Sequence, residues 1–147
     1  MVEHTSAEAL RRILEGSESV AVLGAHPESS RPASYVPAYL DRVGYRVYPV
    51  NPRKVGMRLW GEPVRATLAE LSEAVDVVNV FRRSDALGEH LTDILAMRPL
   101  PKVVWLQLGI RNDGFAEQLL AAGIDVVQDR CTLAEHRRLG IAHRGES

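Results

Sequence analysis

Short apolar runs alternate with helical segments along almost the whole chain, and this alternation is the feature that most limits its fold. The runs occupy residues 19–23, 45–50, 75–81, 102–108 and 124–127. Continuous apolar runs are typical of strands buried on both faces, and such strands with a helix after each form parallel sheets. The pattern predicts a single-domain α/β fold, a Rossmann-like doubly wound parallel sheet of about five strands.

Capping residues, glycines and prolines mark where the intervening helices should begin and end. The first helix lies within residues 1–16, and a polar tail occupies residues 140–147. Residues 53–63 are expected to form an irregular excursion, and residues 67–71 a short helical turn. The predicted starts are Thr5, Ala33, Ser84, Asn112 or Asp113, and Thr132, and the predicted stops are Gly16, Gly44, Pro99 and Gly123.

Length and charge exclude several classes of function. A chain of 147 residues fits one domain, so residues 1–147 are taken as a single unit. Its 18 basic and 19 acidic side chains give a net charge of −1, which provides no bulk attraction to nucleic acid or to a membrane surface. No apolar run approaches the ~20 residues of a membrane span, and the polar N-terminus lacks a signal-peptide pattern. A cytoplasmic protein is expected.

The loop after the first strand offers a place for a pyrophosphate. In a doubly wound sheet, ligands bind outside the carboxyl ends of the strands, and this loop opens a helix whose N-terminus favours anions. Gly24 allows close approach of a ligand, while Ser29, Ser30 and Arg31 can donate to phosphate oxygens. The dinucleotide fingerprint G-x-G-x-x-G is absent, because His26 and Ser29 occupy its second and third glycine positions.

The loop after the second strand is basic where a dinucleotide enzyme usually carries an acidic residue. It reads Asn51-Pro52-Arg53-Lys54. A basic pair at this corner favours a phosphate on the adenosine ribose, either the 2′-phosphate of NADP or the 3′-phosphate of coenzyme A. A solvated turn with no ligand explains the pair equally well.

Two further loops carry weaker signals. Val80 and Phe81 end the third strand and suit one wall of an adenine site, with Arg82 stacking or pairing with phosphate. Gln107 ends the fourth strand, where it can approach a ligand. Both sets also fit an ordinary core followed by solvated polar residues.

No motif for catalysis or metal binding is apparent. The five histidines lack the spacing of a metal pair, and no serine lies in a G-x-S-x-G elbow. The one cysteine, Cys131, excludes an internal disulfide and a cysteine metal cluster, and an ordinary buried or half-buried thiol is expected there. A binding protein is therefore favoured over an enzyme.

The order of these segments resembles that of a known family. The chain is similar to the stand-alone CoA-binding domain proteins, small bacterial relatives of the N-terminal domain of the succinyl-CoA synthetase α subunit. The resemblance covers residues 17–138. It is carried by residues 20–25 with Arg31-Pro32, then 44–52, 76–83, 104–110 and 126–131.

This resemblance implies a Rossmann-like fold that binds CoA along the loop edge. Lys54 follows Pro52 at the spacing of the synthetase lysine that meets the nucleotide phosphates, and His26 stands where relatives often have serine. The synthetase phosphohistidine belongs to a second domain, so ligase activity is not implied. The remaining positions implied are Gly24, Ala25 and the residues to Arg31 for the pyrophosphate, Val80 and Phe81 for adenine, and Leu106 and Gln107 for the pantetheine end.

The sequence thus predicts a protein that binds coenzyme A or an acyl-CoA, with no catalytic machinery of its own. It would act as a carrier, a sensor, or a subunit completed by a homo-oligomer or another protein. No nucleic-acid or membrane partner is expected. An NADP-dependent enzyme, a nucleotide-sensing regulatory protein and a structural protein with a vestigial site stay open as alternatives.

Overall fold

The computed structural model describes residues 2–143, and its strands lie where the apolar runs predict them. The strands are β1 (Ser19–Leu23), β2 (Arg46–Val50), β3 (Arg58–Leu59), β4 (Glu62–Pro63), β5 (Val77–Val80), β6 (Val103–Leu106) and β7 (Asp125–Val127). Five of them form a parallel sheet in the order β2-β1-β5-β6-β7. The expected doubly wound fold is confirmed. Within the predicted irregular excursion, β3 and β4 pair as a two-residue antiparallel ribbon.

Helices cover both faces of the sheet, one before β1 and the others after β1, β5, β6 and β7. They are α1 (Ala7–Gly16), α2 (Pro32–Arg42), α3 (Leu91–Leu95), α4 (Asp113–Ala121) and α5 (Thr132–Arg138). Two 3₁₀ segments, Leu68–Glu70 and Ser84–His90, lie before β5 and between β5 and α3.

Alternate residues of the strands supply two separate cores. Ala21 and Leu23 of β1 belong to the core under α3 and α4, which also contains Ile94 and Leu119. Val20 and Val22 of the same strand belong to the core under α1, α2 and α5. Burying one such aliphatic side chain contributes about 1.5–3 kcal/mol, so each core holds its helices against the sheet.

Several predicted helix ends are confirmed. Gly44 and Gly123 take left-handed backbone conformations, with φ of 106° and 89°, which glycine adopts without steric cost. Asn112 is the N-cap of α4, and its Oδ1 accepts from the Phe115 backbone N–H at 3.0 Å. The first helix begins one residue later than predicted, because Ser6 rather than Thr5 accepts from the Ala9 N–H at 3.1 Å.

Two predicted caps are wrong for a shared reason. Ser84 caps no helix, because its Oγ accepts from the Arg111 backbone N–H at 3.0 Å, across to the loop after β6. Thr132 is the first residue of α5 rather than its cap, and its Oγ1 donates to Asn79 Oδ1 at 3.1 Å. In both cases the hydroxyl forms a hydrogen bond with a residue distant in sequence, and not the helix-capping bond that the local pattern predicts.

The structure describes only the first part of the predicted polar tail, residues 140–143. Ile141 is buried against the core and its N–H donates to the His136 carbonyl at 3.2 Å. Residues 144–147 lie outside the described part of the chain. Within residues 2–143, no helix has the length and apolar character needed to cross a membrane.

Candidate functional site

A cleft of about 570 Å³ opens at the carboxyl ends of the strands, where the strand order reverses between β1 and β5. Its walls come from the segments that follow β1, β5 and β6, together with Cys131 after β7. This is the position at which doubly wound sheets bind their ligands. Three of the four loops singled out in the sequence line the cleft, whereas the loop after β2 lies at the same edge of the parallel sheet without lining it.

Gly24 joins three of these loops. Its N–H donates to the Val50 carbonyl at 2.9 Å, and its φ of 93° lies in the left-handed region. A Cβ at this position would lie 2.8 Å from the Phe81 carbonyl oxygen. Ala25 is fully buried beside it, and its carbonyl accepts from Asn51 Nδ2 at 2.8 Å. A side chain at position 24 would push the first and third loops apart.

The loop after β1 is organised around the Glu28 carboxylate. Arg31 Nε donates to Glu28 Oε2 at 2.9 Å and Ser30 Oγ to Oε1 at 3.1 Å, while the Glu28 N–H donates to His26 Nδ1 at 3.1 Å. The hydrogen bond from Arg31 is the main cause that lowers the pKa of Glu28. Ser29, Ser30 and Arg31 are exposed. The proposed phosphate donors are thus accessible, although Arg31 is paired with a carboxylate.

The loop after β2 carries two cations without carboxylate partners among residues 2–143. Asn51 Oδ1 accepts from the Arg53 N–H at 2.9 Å, and the Lys54 N–H donates to the Asn51 carbonyl at 3.1 Å, which closes the turn. Pro52 and Arg53 are exposed and Lys54 is half-buried. Lys54 lies close enough to His26 to help lower its pKa, after partial burial and Arg31. The loop after β2 therefore brings positive charge close to His26 in the loop after β1.

Arg82 is a half-buried cation in the wall of the cleft. Its side chain is half-buried, and Nε is buried without a hydrogen-bond partner in the described structure. Burial first and the neighbouring Arg53 second lower the pKa of its guanidinium. Glu89 acts in the opposite direction but is the smallest of the three causes, so partial desolvation of this charge is costly and an anionic ligand would offset that cost.

At the ends of β5 and β6, only one residue of each expected pair reaches the cleft. Val80 and Leu106 are fully buried in the core under α3 and α4, so their side chains do not line it. Phe81 and Gln107, one position further along, do line it. The side-chain period of two in a strand explains this difference, since neighbouring residues point to opposite faces.

A buried polar network under the cleft was not anticipated. Asn79 is fully buried in the middle of β5, and its Nδ2 donates to Gln107 Oε1 at 3.1 Å. The same oxygen accepts from the Thr132 backbone N–H at 2.9 Å. The sequence signal was one asparagine inside an otherwise apolar strand, Val77–Val80. This network ties β5, β6 and the start of α5 together.

The far side of the cleft is apolar. Tyr35 and Leu108 are 47% and 71% exposed, and Val36 and Ile110 also line the wall. Cys131 is half-buried there and forms no disulfide. The lining of the cleft therefore combines the cations Arg31, Arg82 and Arg83 with apolar side chains. Within residues 2–143, no cluster of three or more metal-ligating side chains is present.

Comparisons with known proteins find one family model and several similar chains. A family model described as a CoA binding domain matches residues 18–137. The uncharacterised protein YneT of Bacillus subtilis strain 168 is 30% identical over 135 residues, which are 92% of this chain and 97% of that protein. The structure of cell-free ID.343 from Thermus thermophilus matches with a TM-score of 0.87 and 51% identity, over 92% of this chain and 99% of that one.

A larger protein shares the fold alone. The dinucleotide forming acetyl-coenzyme A synthetase 1 of Ca. Korarchaeum cryptofilum, in complex with phosphate and ADP, matches 80% of this chain with a TM-score of 0.63 and 20% identity. The match covers 26% of that chain. The fold of this protein therefore also occurs within a much longer synthetase.

Proposed function

The chain belongs to the CoA-binding domain family, and from that premise we propose that it binds coenzyme A or an acyl-CoA across the cleft at the carboxyl edge of the sheet. The observation that carries the proposal is the combination of cations and an apolar surface at this edge, from which we infer a basic end and an apolar end. CoA has the matching division, since its phosphates lie at one end and its neutral pantetheine arm at the other. The proposed role is binding, as a carrier or a sensor.

The basic end would hold the nucleotide. Arg53 and Lys54 would contact the ribose 3′-phosphate, and Arg31 the pyrophosphate beside the start of α2. Arg82 gives this region a further cation in the wall of the cleft, and Phe81 offers a ring for the adenine. Ser29, Ser30 and His26 complete the phosphate loop, with Gly24 and Ala25 setting its backbone.

The apolar end would hold the pantetheine arm. Gln107 borders the cleft with an amide group that can bond to the amides of the arm, and Tyr35, Leu108 and Ile110 would cover its methylene groups. An acyl group on the CoA sulfur would extend past the same wall.

Isothermal titration calorimetry with CoA, dephospho-CoA, NADP and NAD tests the proposal. CoA should bind most tightly, dephospho-CoA more weakly, and NADP and NAD weakest. In a parallel melting experiment, CoA at 100 times its dissociation constant should add about 2.7 kcal/mol to the free energy of unfolding. Equal or tighter binding of NADP would overturn the proposal in favour of an NADP-dependent enzyme.

A further inference from the structure

Cys131 is fixed in the wall of the cleft by its two neighbours in the chain. The Arg130 N–H donates to the Leu106 carbonyl at 3.3 Å, and the Thr132 N–H donates to Gln107 Oε1 at 2.9 Å. Both contacts are to the end of β6. The thiol between them is half-buried, lines the cleft, and belongs to the one cysteine of the sequence. Its position is therefore set by the sheet and not by a free loop.

The adjacent Gln107 side chain independently indicates a ligand at this end of the cleft. Gln107 is 4% exposed, and its Oε1 is fixed as an acceptor by the Thr132 N–H and by Asn79 Nδ2. Its Nε2 donates no hydrogen bond within residues 2–143, although the side chain lines the cleft. This donor is therefore open to the cleft rather than buried in the core. An amide carbonyl of a bound pantetheine arm would accept from it.

The order of the strands gives the direction in which CoA would lie. Arg53 and Lys54 follow β2 and Arg82 follows β5, whereas Cys131 follows β7 and is held against the end of β6. Strands are spaced by about 4.8 Å, so three spacings separate Cys131 from the cations after β2 by roughly 14 Å. With its phosphates on the cations, CoA would direct its terminal thiol toward β6 and β7, where Cys131 lies.

From these contacts we propose that Cys131 forms a reversible mixed disulfide with the coenzyme A sulfur in the cleft. The co-reactant is the symmetrical disulfide of CoA. The Cys131 thiol gives its proton to solvent and the thiolate attacks one sulfur of that disulfide, forming an Sγ–S bond as the original S–S bond breaks. The second CoA leaves as a thiolate and takes up a proton. The number of disulfides is unchanged, and a free thiol reverses the step.

This inference rests on the proposed function, because the nucleotide end must dock first. Docking of the nucleotide raises the local concentration of the CoA disulfide at Cys131. A small disulfide without a nucleotide does not dock, so its local concentration stays that of the solution. The mixed disulfide would hold CoA on the protein under oxidising conditions and release it when thiols are abundant.

Intact-protein mass spectrometry after timed incubation and acid quenching measures the reaction. With CoA disulfide, we expect one CoA moiety per chain, removed by dithiothreitol and absent from Cys131→Ser. With oxidised glutathione at the same concentration, the adduct should form at least about tenfold more slowly, because nothing docks it. The double variant Arg53→Ala with Lys54→Ala should slow labelling by CoA disulfide, whereas Arg12→Ala on the exposed face of α1 should not.

Calorimetry with reduced CoA on Cys131→Ser distinguishes failure of the mixed disulfide from failure of CoA binding. If this variant binds CoA but the wild-type protein reacts with both disulfides at equal rates, the inference is wrong and the proposed function stands. If neither the variant nor the wild-type protein binds CoA, the proposed function is wrong and the inference falls with it.

Discussion

Gly24 shows how much of the site depends on a single backbone position. It combines a positive φ with close approach to the Phe81 carbonyl, and each of these requirements excludes a side chain. Gly24→Ala should therefore destabilise the fold by about 1–3 kcal/mol from backbone strain, with a further cost from the contact. Affinity for CoA should also fall, because the loops after β1 and β5 would separate. Thermal melting and calorimetry measure the two effects.

Gly88 provides a matched control for this substitution. It is an exposed residue of the 3₁₀ segment Ser84–His90, and a Cβ built there meets no atom within 4 Å. Gly88→Ala should leave CoA affinity unchanged and keep or slightly raise the melting temperature. Equal loss of affinity in the two variants would show that Gly24 has no special place in the site.

His26 should make the binding of nucleotide phosphates depend on pH. Partial burial and the cations Arg31 and Lys54 lower the pKa of His26 in the free protein, and a bound polyanion would raise that pKa in the complex. The protonated ring would then strengthen binding. This contribution is present below the pKa of the free protein and is lost as pH rises through the pKa of the complex.

The comparison with His26→Asn isolates this effect, because asparagine keeps an acceptor for the Glu28 N–H. Dephospho-CoA is the suitable ligand, since the 3′-phosphate of CoA itself titrates near pH 6. The wild-type protein should bind it more tightly than the variant at about pH 5 and equally at about pH 8. A constant ratio of the two dissociation constants would remove His26 from the phosphate site.

Among the elements, β5, β6 and α5 are joined by polar contacts inside an otherwise apolar interior. Thr132 Oγ1 is the donor to Asn79 Oδ1, and both residues are buried. Thr132→Val removes this donor at nearly constant volume and should cost about 1–3 kcal/mol. At roughly 3 °C per kcal/mol, the melting temperature should fall by about 3–9 °C.

Thr132→Ser is the matched variant, because it keeps the hydroxyl and loses a methyl group. It should melt well above Thr132→Val, and CoA affinity should follow the same order if the network supports Gln107. A valine variant as stable as the serine variant would show that the hydroxyl contributes nothing.

The same elements show what a sequence can and cannot predict. The family resemblance is confirmed. The strands are confirmed as well, because a continuous apolar run is a local pattern that can be read from the sequence. The caps at Ser84 and Thr132 are wrong, because Arg111 and Asn79 lie 27 and 53 residues away and compete for the hydroxyls. Asn112 is predicted correctly because its partner Phe115 is three residues along.

Within the site, the sequence predicted positions but not pairings. The loops were found because each follows a strand. That Val80 faces the core while Phe81 reaches the cleft depends on the direction of the pleat, which an all-apolar strand does not reveal. The missing partner of Arg82 Nε and the network around Asn79 appear only when the sheet is assembled.

At the scale of the whole molecule, the charges are nearly balanced in number, and several of the cations meet at one edge of the sheet. The net charge is −1, yet the cations after β2, β1 and β5 all reach one edge of the sheet. At the opposite edge, Asp76 accepts from the Glu18 and Ser19 N–H groups and pairs with Lys102 at 3.1 Å. A CoA polyanion should therefore be attracted to one edge, and its binding should weaken as salt screens the exposed charges.

The double variant Arg53→Ala with Lys54→Ala tests this attraction. It should weaken CoA by about 1–2 kcal/mol, or roughly 5–30-fold, since both contacts are partly exposed to solvent. Dephospho-CoA should lose much less, because it lacks the 3′-phosphate. The fall of CoA affinity with salt should also become shallower.

The double variant Arg12→Ala with Lys102→Ala removes the same net charge from exposed cations that pair with Glu8 and Asp76, away from the cleft. Calorimetry of both variants at several salt concentrations then separates a local phosphate site from a general effect of charge. A local site predicts that only the first variant loses its preference for CoA over dephospho-CoA. If both variants lose affinity equally, the attraction comes from the total charge and the turn after β2 is merely solvated. If neither changes the preference, Arg53 and Lys54 do not contact the 3′-phosphate, and the half-buried Arg82 becomes the group on which phosphate recognition must depend.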